Sequence, residues 1–185
     1  MTEQATKPTQ IPTEEADRPL TVCFVCTGNT CRSPMAEALL NAMEAERRRA
    51  VPKELQSLLP RPIRAVSRGL YADGSPISPQ AVAALEEAGV APAEGADYHT
   101  HVSRTVTEED ADACDLLCAV SSRHAMELLL RFPQHAGKIC RLPHDVIDPF
   151  GGSLAVYRAC LAELRRGIEE TFFRAAEAKE DRDAD

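Results

Sequence analysis

An apolar segment that runs directly into a polar loop and then into a helix constrains the fold of this chain most strongly. Leu20 to Val25 is continuously apolar, and Met35 to Ala45 carries apolar side chains at helical spacing. An unbroken apolar run of this length is typical of a parallel strand that is buried on both faces. Strand-like and helical segments alternate along the rest of the chain. We therefore predict an α/β fold, a single-domain doubly wound four-stranded parallel sheet with helices on both faces.

The other elements are predicted from the same two periodicities and from the residues that end them. Further strands are expected over Ile63 to Ser67, Cys114 to Val120 and Lys138 to Leu142. Further helices are expected from Pro79 until Gly89 ends the helix, and over Thr107 to Ala113, Ser121 to Arg131 and Leu154 to Phe172. Ser33 and Ser78, which each precede a proline, are predicted N-caps. Residues 1–18 are expected to form a disordered tail, residues 19–176 one domain and residues 177–185 a charged C-terminal tail.

Composition and charge argue against several classes of protein. The formal net charge of −8 argues against general nucleic-acid binding, which needs a basic face. No segment approaches the ~18 consecutive apolar residues of a membrane span, and residues 1–18 lack the apolar stretch of a signal peptide. We therefore expect a cytoplasmic protein with no nucleic-acid or membrane partner. The seven cysteines, an odd number without a secretion signal, do not suggest a disulfide framework.

The loop that follows the first strand has the residues of an oxyanion-binding site. Cys26 is the first residue after the predicted strand, and Gly28 and Asn29 tolerate the tight backbone conformations of such a loop. The N–H groups of the loop and the N-terminus of the next helix favour both a bound anion and the thiolate of Cys26. The planar guanidinium of Arg32 can hold two phosphoryl oxygens. Ser33 can cap the helix, donate to the thiolate, or do both.

A thiolate that displaces a phosphate needs a proton donor for the leaving group, and Asp148 is the best candidate. It follows the fourth predicted strand and can reach the same edge of the sheet, although a plain turn residue before Pro149 is the simpler interpretation. Cys23, Cys26 and Cys31 have the spacing of a metal cluster, but Cys23 would lie inside the strand. No metal site is therefore predicted.

Two motifs carry a family resemblance. The segment Cys26 to Glu37, CTGNTCRSPMAE, and the segment Asp148 to Ser153, DPFGGS, resemble those of the low-molecular-weight protein-tyrosine phosphatases. They are most similar to the bacterial protein-arginine phosphatase branch, with a weaker match at Ala72 to Pro76. The similarity extends from about Leu20 to about Phe173.

The resemblance implies a two-step phosphatase that acts on phosphorylated proteins without a metal or other cofactor. Cys26 would be the nucleophile, Arg32 the phosphate binder and Asp148 the general acid and later the base. The substrate-binding residues would be Thr27, Gly28, Asn29, Thr30, Cys31 and Ser33. Ser67 and His101 would hydrogen-bond to the loop near Asn29 and hold its shape. The oligomeric state is not predicted.

Thr30 bears on the choice of substrate. In this family a bulky Ile or Leu at its position goes with phosphotyrosine, whereas Thr goes with phosphoarginine. The loop after Asp148 offers one aromatic residue, Phe150, and then two glycines. We expect a preference for phosphoarginine, with phosphotyrosine as the alternative, although a single Thr is also an ordinary turn residue.

The same loop is also compatible with two other functional classes, an arsenate reductase and an inactive binding module, and two further residues have expected roles. An arsenate reductase would need two further cysteines just after the third strand, where this chain has only Cys118. A binding module without activity would be expected to lack the nucleophile or the acid. Cys31 is close enough in sequence to form a reversible disulfide with Cys26 that prevents overoxidation, or it is a packed thiol. Arg68 stands where the family usually has Ala and is expected at the pocket rim, where it would attract anionic substrate flanks.

Overall fold

In the computed structural model, which describes residues 18–174, four parallel strands form one sheet with helices on both faces. The strands are β1 (Leu20–Cys26), β2 (Ile63–Gly69), β3 (Leu116–Ala119) and β4 (Ile139–Arg141), in the order β2-β1-β3-β4. The predicted fold class is confirmed. The predicted tails, residues 1–18 and 177–185, lie outside the described residues except for Arg18, which pairs with Asp115.

In the described part of the chain, five α-helices connect and cover the strands. They are α1 (Arg32–Ala50), α2 (Pro79–Glu87), α3 (Glu108–Ala113), α4 (Ser122–Arg131) and α5 (Leu154–Ile168). Short 3-10 segments lie at Lys53–Leu58, Tyr98–Thr100 and Pro133–Lys138, and a π-helical turn at Glu169–Phe173 extends α5. None of the helices within residues 18–174 is both long and apolar enough to cross a bilayer.

The side chains of β1 alternate between two apolar cores, one on each face of the sheet. Val22 and Phe24 lie in the larger core, to which α1, α2 and α5 contribute, and Cys23 and Val25 lie in the smaller one with α3 and α4. Because successive side chains of a strand point to opposite faces, a strand between two helical layers must be apolar throughout. This explains the unbroken apolar run with which the fold begins.

The strand order reverses direction at β1, and this places the loop after β1 in a crevice. β2 lies on one side of β1 and β3 on the other, with Cys26 paired to Gly69 and Val25 to Ala119. In doubly wound sheets, ligands bind outside the carboxyl ends of the strands where the order reverses. The segment that the sequence singled out therefore lies where the fold provides a binding site.

The largest boundary difference concerns α1, which begins at Arg32 and continues to Ala50. Its N-cap residue is Cys31 and no side chain caps it, so the prediction of Ser33 as the cap is wrong. The hydroxyl of Ser33 instead donates to the carbonyl of Arg68 or to the sulfur of Cys26. The extra C-terminal turn is stabilised by the buried Glu44, which pairs with arginines three and four residues later.

Tertiary hydrogen bonds also account for the smaller differences. The strands β3 and β4 are shorter than predicted, because the N–H of Cys114 donates to Asp110 of α3 and Lys138 ends a 3-10 segment. Ser78 occupies the N-cap position of α2, but its hydroxyl donates to the phenol oxygen of Tyr157 rather than accepting a helix N–H.

Candidate active site

The loop of residues 26–33, called here the anion loop, forms the floor of a cavity of about 550 Å³. The walls come from two segments: residues 71–79, which lead from β2 into α2, and residues 148–150, which follow β4. The cavity is lined by Cys26, Thr27, Gly28, Thr30, Cys31, Arg32, Tyr71, Asp73, Ser75, Pro76, Ile77, Ser78, Pro79, Asp148 and Phe150. The predicted nucleophile, anion binder and proton donor therefore share one cavity.

The sulfur of Cys26 lies among hydrogen-bond donors although the residue is only 2% exposed. The N–H of Asn29 donates to Sγ over 3.3 Å, and the hydroxyl of Ser33 lies 3.0 Å from it. The single proton of that hydroxyl points to Sγ or to the carbonyl of Arg68, 3.1 Å away. Both groups can donate to a negatively charged sulfur, so the loop offers two hydrogen bonds to a thiolate at this position.

The guanidinium of Arg32 reaches across the cavity to Asp148. Its Nη2 donates to Oδ2 of Asp148 over 2.6 Å, and the Arg32 side chain is 8% exposed. Its Nε–H is the one buried side-chain N or O atom of residues 18–174 that has no hydrogen-bond partner. An unpaired buried donor costs free energy, about 1–3 kcal/mol when nothing accepts from it. An oxyanion in the loop would supply the missing acceptor.

Asp148 is presented to the cavity by a tight turn. Its Oδ1 accepts the N–H of Phe150 over 3.2 Å, and the N–H of Gly152 donates to the carbonyl of Pro149 over 2.8 Å. A Cβ on Gly152 would lie 2.9 Å from that carbonyl oxygen, so the turn excludes a side chain there. The carboxylate remains 52% exposed and can meet both a substrate and a water molecule.

Asn29 is the centre of the anion loop and is fully buried. It is the only residue other than glycine with a positive φ, 57°, in the described chain, and Asn tolerates this left-handed region better than most residues. Its partners in five hydrogen bonds are Cys26, Ser33, Ser67, His101 and Arg104. Every polar atom of this residue is therefore paired, which fixes an otherwise unfavourable backbone conformation.

Ser67 and His101 both contact Asn29. The side-chain amide of Asn29 donates to Oγ of Ser67 over 2.9 Å, and Nε2 of His101 donates to the carbonyl of Asn29 over 2.9 Å. Ser67 in turn donates to Glu37 over 2.6 Å, and burial raises the pKa of the Glu37 carboxyl above its usual range. Glu37 has no assigned role from sequence, because its contact depends on how α1 packs against β2.

The anion loop depends on a glycine that lies outside it, Gly69, more than on its own Gly28. A Cβ on Gly69, at the end of β2, would lie 2.9 Å from the carbonyl oxygen of Thr27 and 3.0 Å from the nitrogen of Asn29. Gly28 was expected to allow close approach and unusual dihedral angles, but its φ is not positive and a Cβ there would meet only Thr30 Oγ1, at 3.7 Å. The expected reason for Gly28 is wrong, since Asn29 takes the unusual conformation and Gly69 allows the close approach.

Three aromatic or imidazole side chains at the site carry no sequence motif. The ring of Tyr71 lies at the cavity rim with the guanidinium of Arg131 4.6 Å from its centroid, and its hydroxyl donates to Glu127. The hydroxyl of Tyr157 lies 3.2 Å from the sulfur of Cys31. His124 contacts Thr27 of the anion loop. Their partners lie 56 to 126 residues away along the chain, so no local pattern could have revealed them.

The structure also locates Cys31, Cys118 and Arg68, on which the disulfide, reductase and pocket-rim hypotheses depend. Cys31 and Cys26 are both free thiols, and burial raises the pKa of the Cys31 thiol. Cys118 lies inside β3 and is fully buried, so it is not on an accessible loop as a reductase relay requires. Arg68 was expected at the pocket rim; instead its guanidinium pairs with Asp110 over 2.8 Å and lines a different cavity.

One group of potential metal ligands occurs among residues 18–174, and it lies outside the anion loop. Glu108, Asp112 and His135 bring one ligand atom each within 4.8 Å of the others. Nε2 of His135 already lies 2.9 Å from Glu108, and both acidic residues are exposed. This arrangement is an ordinary surface ion pair that contributes little to stability.

Comparison with known proteins connects this geometry to a family. The family described as "Low molecular weight phosphotyrosine protein phosphatase" matches residues 21–183. A protein-arginine-phosphatase of Bacillus subtilis is 34% identical over 169 residues, which cover 87% of this chain and 98% of that protein. A low molecular weight protein-tyrosine-phosphatase PtpB of Staphylococcus haemolyticus is 30% identical, covering 77% and 91%.

Solved structures give the same result. The structure of a YwlE mutant from Bacillus subtilis superimposes with a TM-score of 0.65 at 34% identity, covering 80% of this chain and 93% of that one. A YwlE arginine phosphatase mutant with a phosphorylated active-site serine superimposes with the same TM-score at 32% identity, covering 83% and 98%. Sequence and fold agree, and the chain belongs to the low molecular weight phosphotyrosine protein phosphatase family.

Proposed function

We propose that this chain is a protein phosphatase that removes phosphate from phosphoarginine through a phosphocysteine intermediate. The observation that carries this proposal is the convergence of three groups in one cavity: the Cys26 sulfur, the unpaired Nε–H of Arg32 and the Asp148 carboxylate. A nucleophile, an unsatisfied cationic donor and a proton donor are what displacement at phosphorus requires.

In the first step, the Cys26 thiolate attacks the phosphorus atom and forms an S–P bond. The P–N bond to the substrate guanidino group breaks, and Asp148 donates a proton to the departing nitrogen. Arg32 and the N–H groups at the start of α1 hold the phosphoryl oxygens, on which negative charge is concentrated. The short contact between Arg32 and Asp148 keeps the proton donor beside the bound phosphoryl group.

In the second step, Asp148 takes a proton from a water molecule, and the water oxygen attacks the phosphorus atom. The S–P bond breaks, inorganic phosphate leaves and the Cys26 thiolate is restored. The exposure of the Asp148 side chain supports this role, because the water must reach it from solvent. A related YwlE arginine phosphatase mutant that carries phosphate on its active-site serine supports a covalent intermediate here.

Three observations favour phosphoarginine over phosphotyrosine. Thr30, whose identity bears on substrate choice in this family, lines the cavity. The Asp148 carboxyl group can accept hydrogen bonds from the nitrogens of a guanidino group and, in its protonated form, can donate a proton to the departing nitrogen. Relatives from Bacillus subtilis and Geobacillus stearothermophilus named protein-arginine-phosphatases are 34% and 35% identical to this chain. The proposed partners are phosphorylated proteins of the cytoplasm, with no nucleic acid.

The test compares two phosphopeptides that differ only in the phosphorylated residue. Wild type should have the higher kcat/KM for the phosphoarginine peptide, and Thr30→Ile should shift the ratio of the two kcat/KM values toward phosphotyrosine by about tenfold. Cys26→Ser is the inactive control. A wild-type preference for phosphotyrosine would overturn the assignment of phosphoarginine as the substrate. An unchanged ratio in Thr30→Ile would show that Thr30 does not determine the preference.

The second candidate, a phosphotyrosine phosphatase, is favoured by one observation. Tyr71 and Phe150 both line the cavity, and two aromatic rings can flank the phenyl group of phosphotyrosine. The same rings can also stack on a planar guanidino group, so they do not decide between the substrates. The comparison of the two phosphopeptides decides between the two substrates.

A further inference from the structure

The anion loop is held from both neighbouring strands, and the two sides are held differently. On the β2 side, Ser67 and His101 hydrogen-bond to Asn29. On the β3 side, His124 in the first turn of α4 hydrogen-bonds to the loop. Its contact is to Thr27, the residue that directly follows Cys26.

Both ring nitrogens of His124 lie within hydrogen-bond distance of a hydroxyl group. Its Nε2 lies 2.9 Å from Oγ1 of Thr27, and its Nδ1 lies 2.5 Å from Oγ of Ser121. Ser121 is the N-cap of α4 and accepts the backbone N–H of His124 over 3.4 Å. The residue is only 4% exposed, so its ring cannot exchange these partners for water. The helix cap and the anion loop are thus joined through one imidazole.

The charge state of the imidazole fits this link. Burial, together with the nearby charges of Arg32 and Arg123, lowers the pKa of His124 to about 4. A neutral imidazole has one donor and one acceptor nitrogen, which matches two hydroxyl partners that can each donate or accept. The ring therefore completes both contacts without placing a second positive charge beside Arg32.

The same face of α4 also holds the cavity rim. Glu127 follows His124 by three residues and Arg131 follows Glu127 by four, which puts the three side chains on one side of the helix. Glu127 accepts from the hydroxyl of Tyr71, and the Arg131 guanidinium lies over the Tyr71 ring. This face of α4 therefore touches the cavity at its floor and at its rim.

We propose that His124 is a positioning residue that fixes Thr27 and thereby the backbone that aligns the Cys26 sulfur with the N–H donors of the loop. It does not touch the substrate. The inference rests on the proposed function in that Cys26 is the nucleophile, but it is independent of whether the substrate is phosphoarginine or phosphotyrosine.

Two substitutions separate the two contacts of the imidazole. His124→Gln can place an amide group near the position of Nε2 and keep the bond to Thr27, whereas His124→Asn can reach only toward Ser121. His144→Asn is the matched control, because His144 is 67% exposed and pairs with Glu170. The measurements are kcat and KM for p-nitrophenyl phosphate, the thermal midpoint Tm, and the rate of Cys26 alkylation by iodoacetamide as a function of pH.

For His124→Asn we expect kcat to fall on the order of tenfold, because a small misplacement of the nucleophile is costly, with KM changing less than about twofold. The pH at which alkylation reaches half its maximal rate should move upward, and His124→Gln should recover most of the kcat. A purely structural role would lower Tm and the fraction of alkylatable enzyme but leave the alkylation profile in place. That result, or equal losses in the Asn and Gln variants, would overturn the proposal.

Thr27→Val keeps the test decisive if His124→Asn does not fold. It removes the hydroxyl but keeps the shape of the side chain, so it should shift the alkylation profile in the same direction; an unshifted profile would contradict the link. The alkylation readout also separates this inference from the proposed function. If wild type hydrolyses no phosphopeptide, the proposed function fails, while the alkylation profiles still report whether His124 positions the sulfur.

Discussion

The anion loop and the turn that carries Asp148 contribute to the same proposed reaction but are built in opposite ways. Cys26 and Asn29 are almost completely buried, and Asn29 alone makes five hydrogen bonds. Asp148 has a half-exposed side chain, and its neighbour Phe150 is 78% exposed. Charge that develops on a phosphoryl group is best stabilised by donors that do not need to move. A proton donor that later activates water must instead remain open to solvent.

The largest effect is expected when the proposed proton donor, Asp148, is removed from the solvent-exposed turn. Asp148→Asn keeps the size of the side chain but cannot protonate a leaving group, so kcat for a phosphopeptide should fall on the order of 100- to 1,000-fold. The loss for p-nitrophenyl phosphate should be smaller, because its leaving group needs less protonation. Tm should hardly change, since the carboxylate is half exposed. Equal losses for the two substrates would contradict the assigned role, and a large fall in Tm would contradict the contrast.

A substitution at the edge of the buried region should act through structure. In Gly69→Ala the new methyl group would lie 2.9 Å from the carbonyl oxygen of Thr27, so the loop must shift. We expect activity to fall by about 100-fold and stability by about 1–3 kcal/mol, measured by steady-state kinetics and by urea unfolding. Gly137→Ala is the control, because nothing lies within 4 Å of its added carbon. Full activity in Gly69→Ala would show that the loop is more tolerant than its packing indicates.

The smallest expected effect is at the exposed aromatic residue of the open region. Phe150→Ala removes a ring that lines the cavity but is largely in solvent. We expect stability to change by less than about 0.5 kcal/mol and KM for a phosphopeptide to rise about three- to tenfold, with kcat nearly unchanged. A loss of several kcal/mol would show that the open turn is held as firmly as the anion loop.

Much of the site could be predicted because its residues follow the ends of parallel strands. Cys26 is the last residue of β1 and Asp148 follows β4, and the carboxyl ends of parallel strands meet at one edge of the sheet. The sequence therefore predicted that Asp148 reaches the edge of the sheet where the anion loop lies, and the structure has its carboxylate 2.6 Å from the Arg32 guanidinium. The fold class followed from the alternation of two periodicities, which depends on the core and not on any single contact.

The rest depended on distances across the fold. Ser33 precedes a proline like an ordinary cap, but its hydroxyl is drawn to Cys26 and Arg68, which only the folded loop brings near. In the sequence Gly69 is an ordinary glycine at the end of a strand. The need for glycine there arises only because the backbone of the anion loop packs against it. His124 reads as a polar helix residue, and its partner Thr27 is 97 residues away. Local patterns carry no information on such pairs.

The complete pairing of Asn29 sets limits on how this enzyme can be redesigned. Among the residues that readily adopt a φ of 57°, only Asn has a side-chain amide that can donate two hydrogen bonds and accept a third. Libraries aimed at new substrates should therefore leave position 29 untouched and vary Thr30, Tyr71 and Phe150, where the cavity meets solvent. Selectivity can then be altered at Thr30 and at the walls of the cavity while the rest of the floor stays as it is.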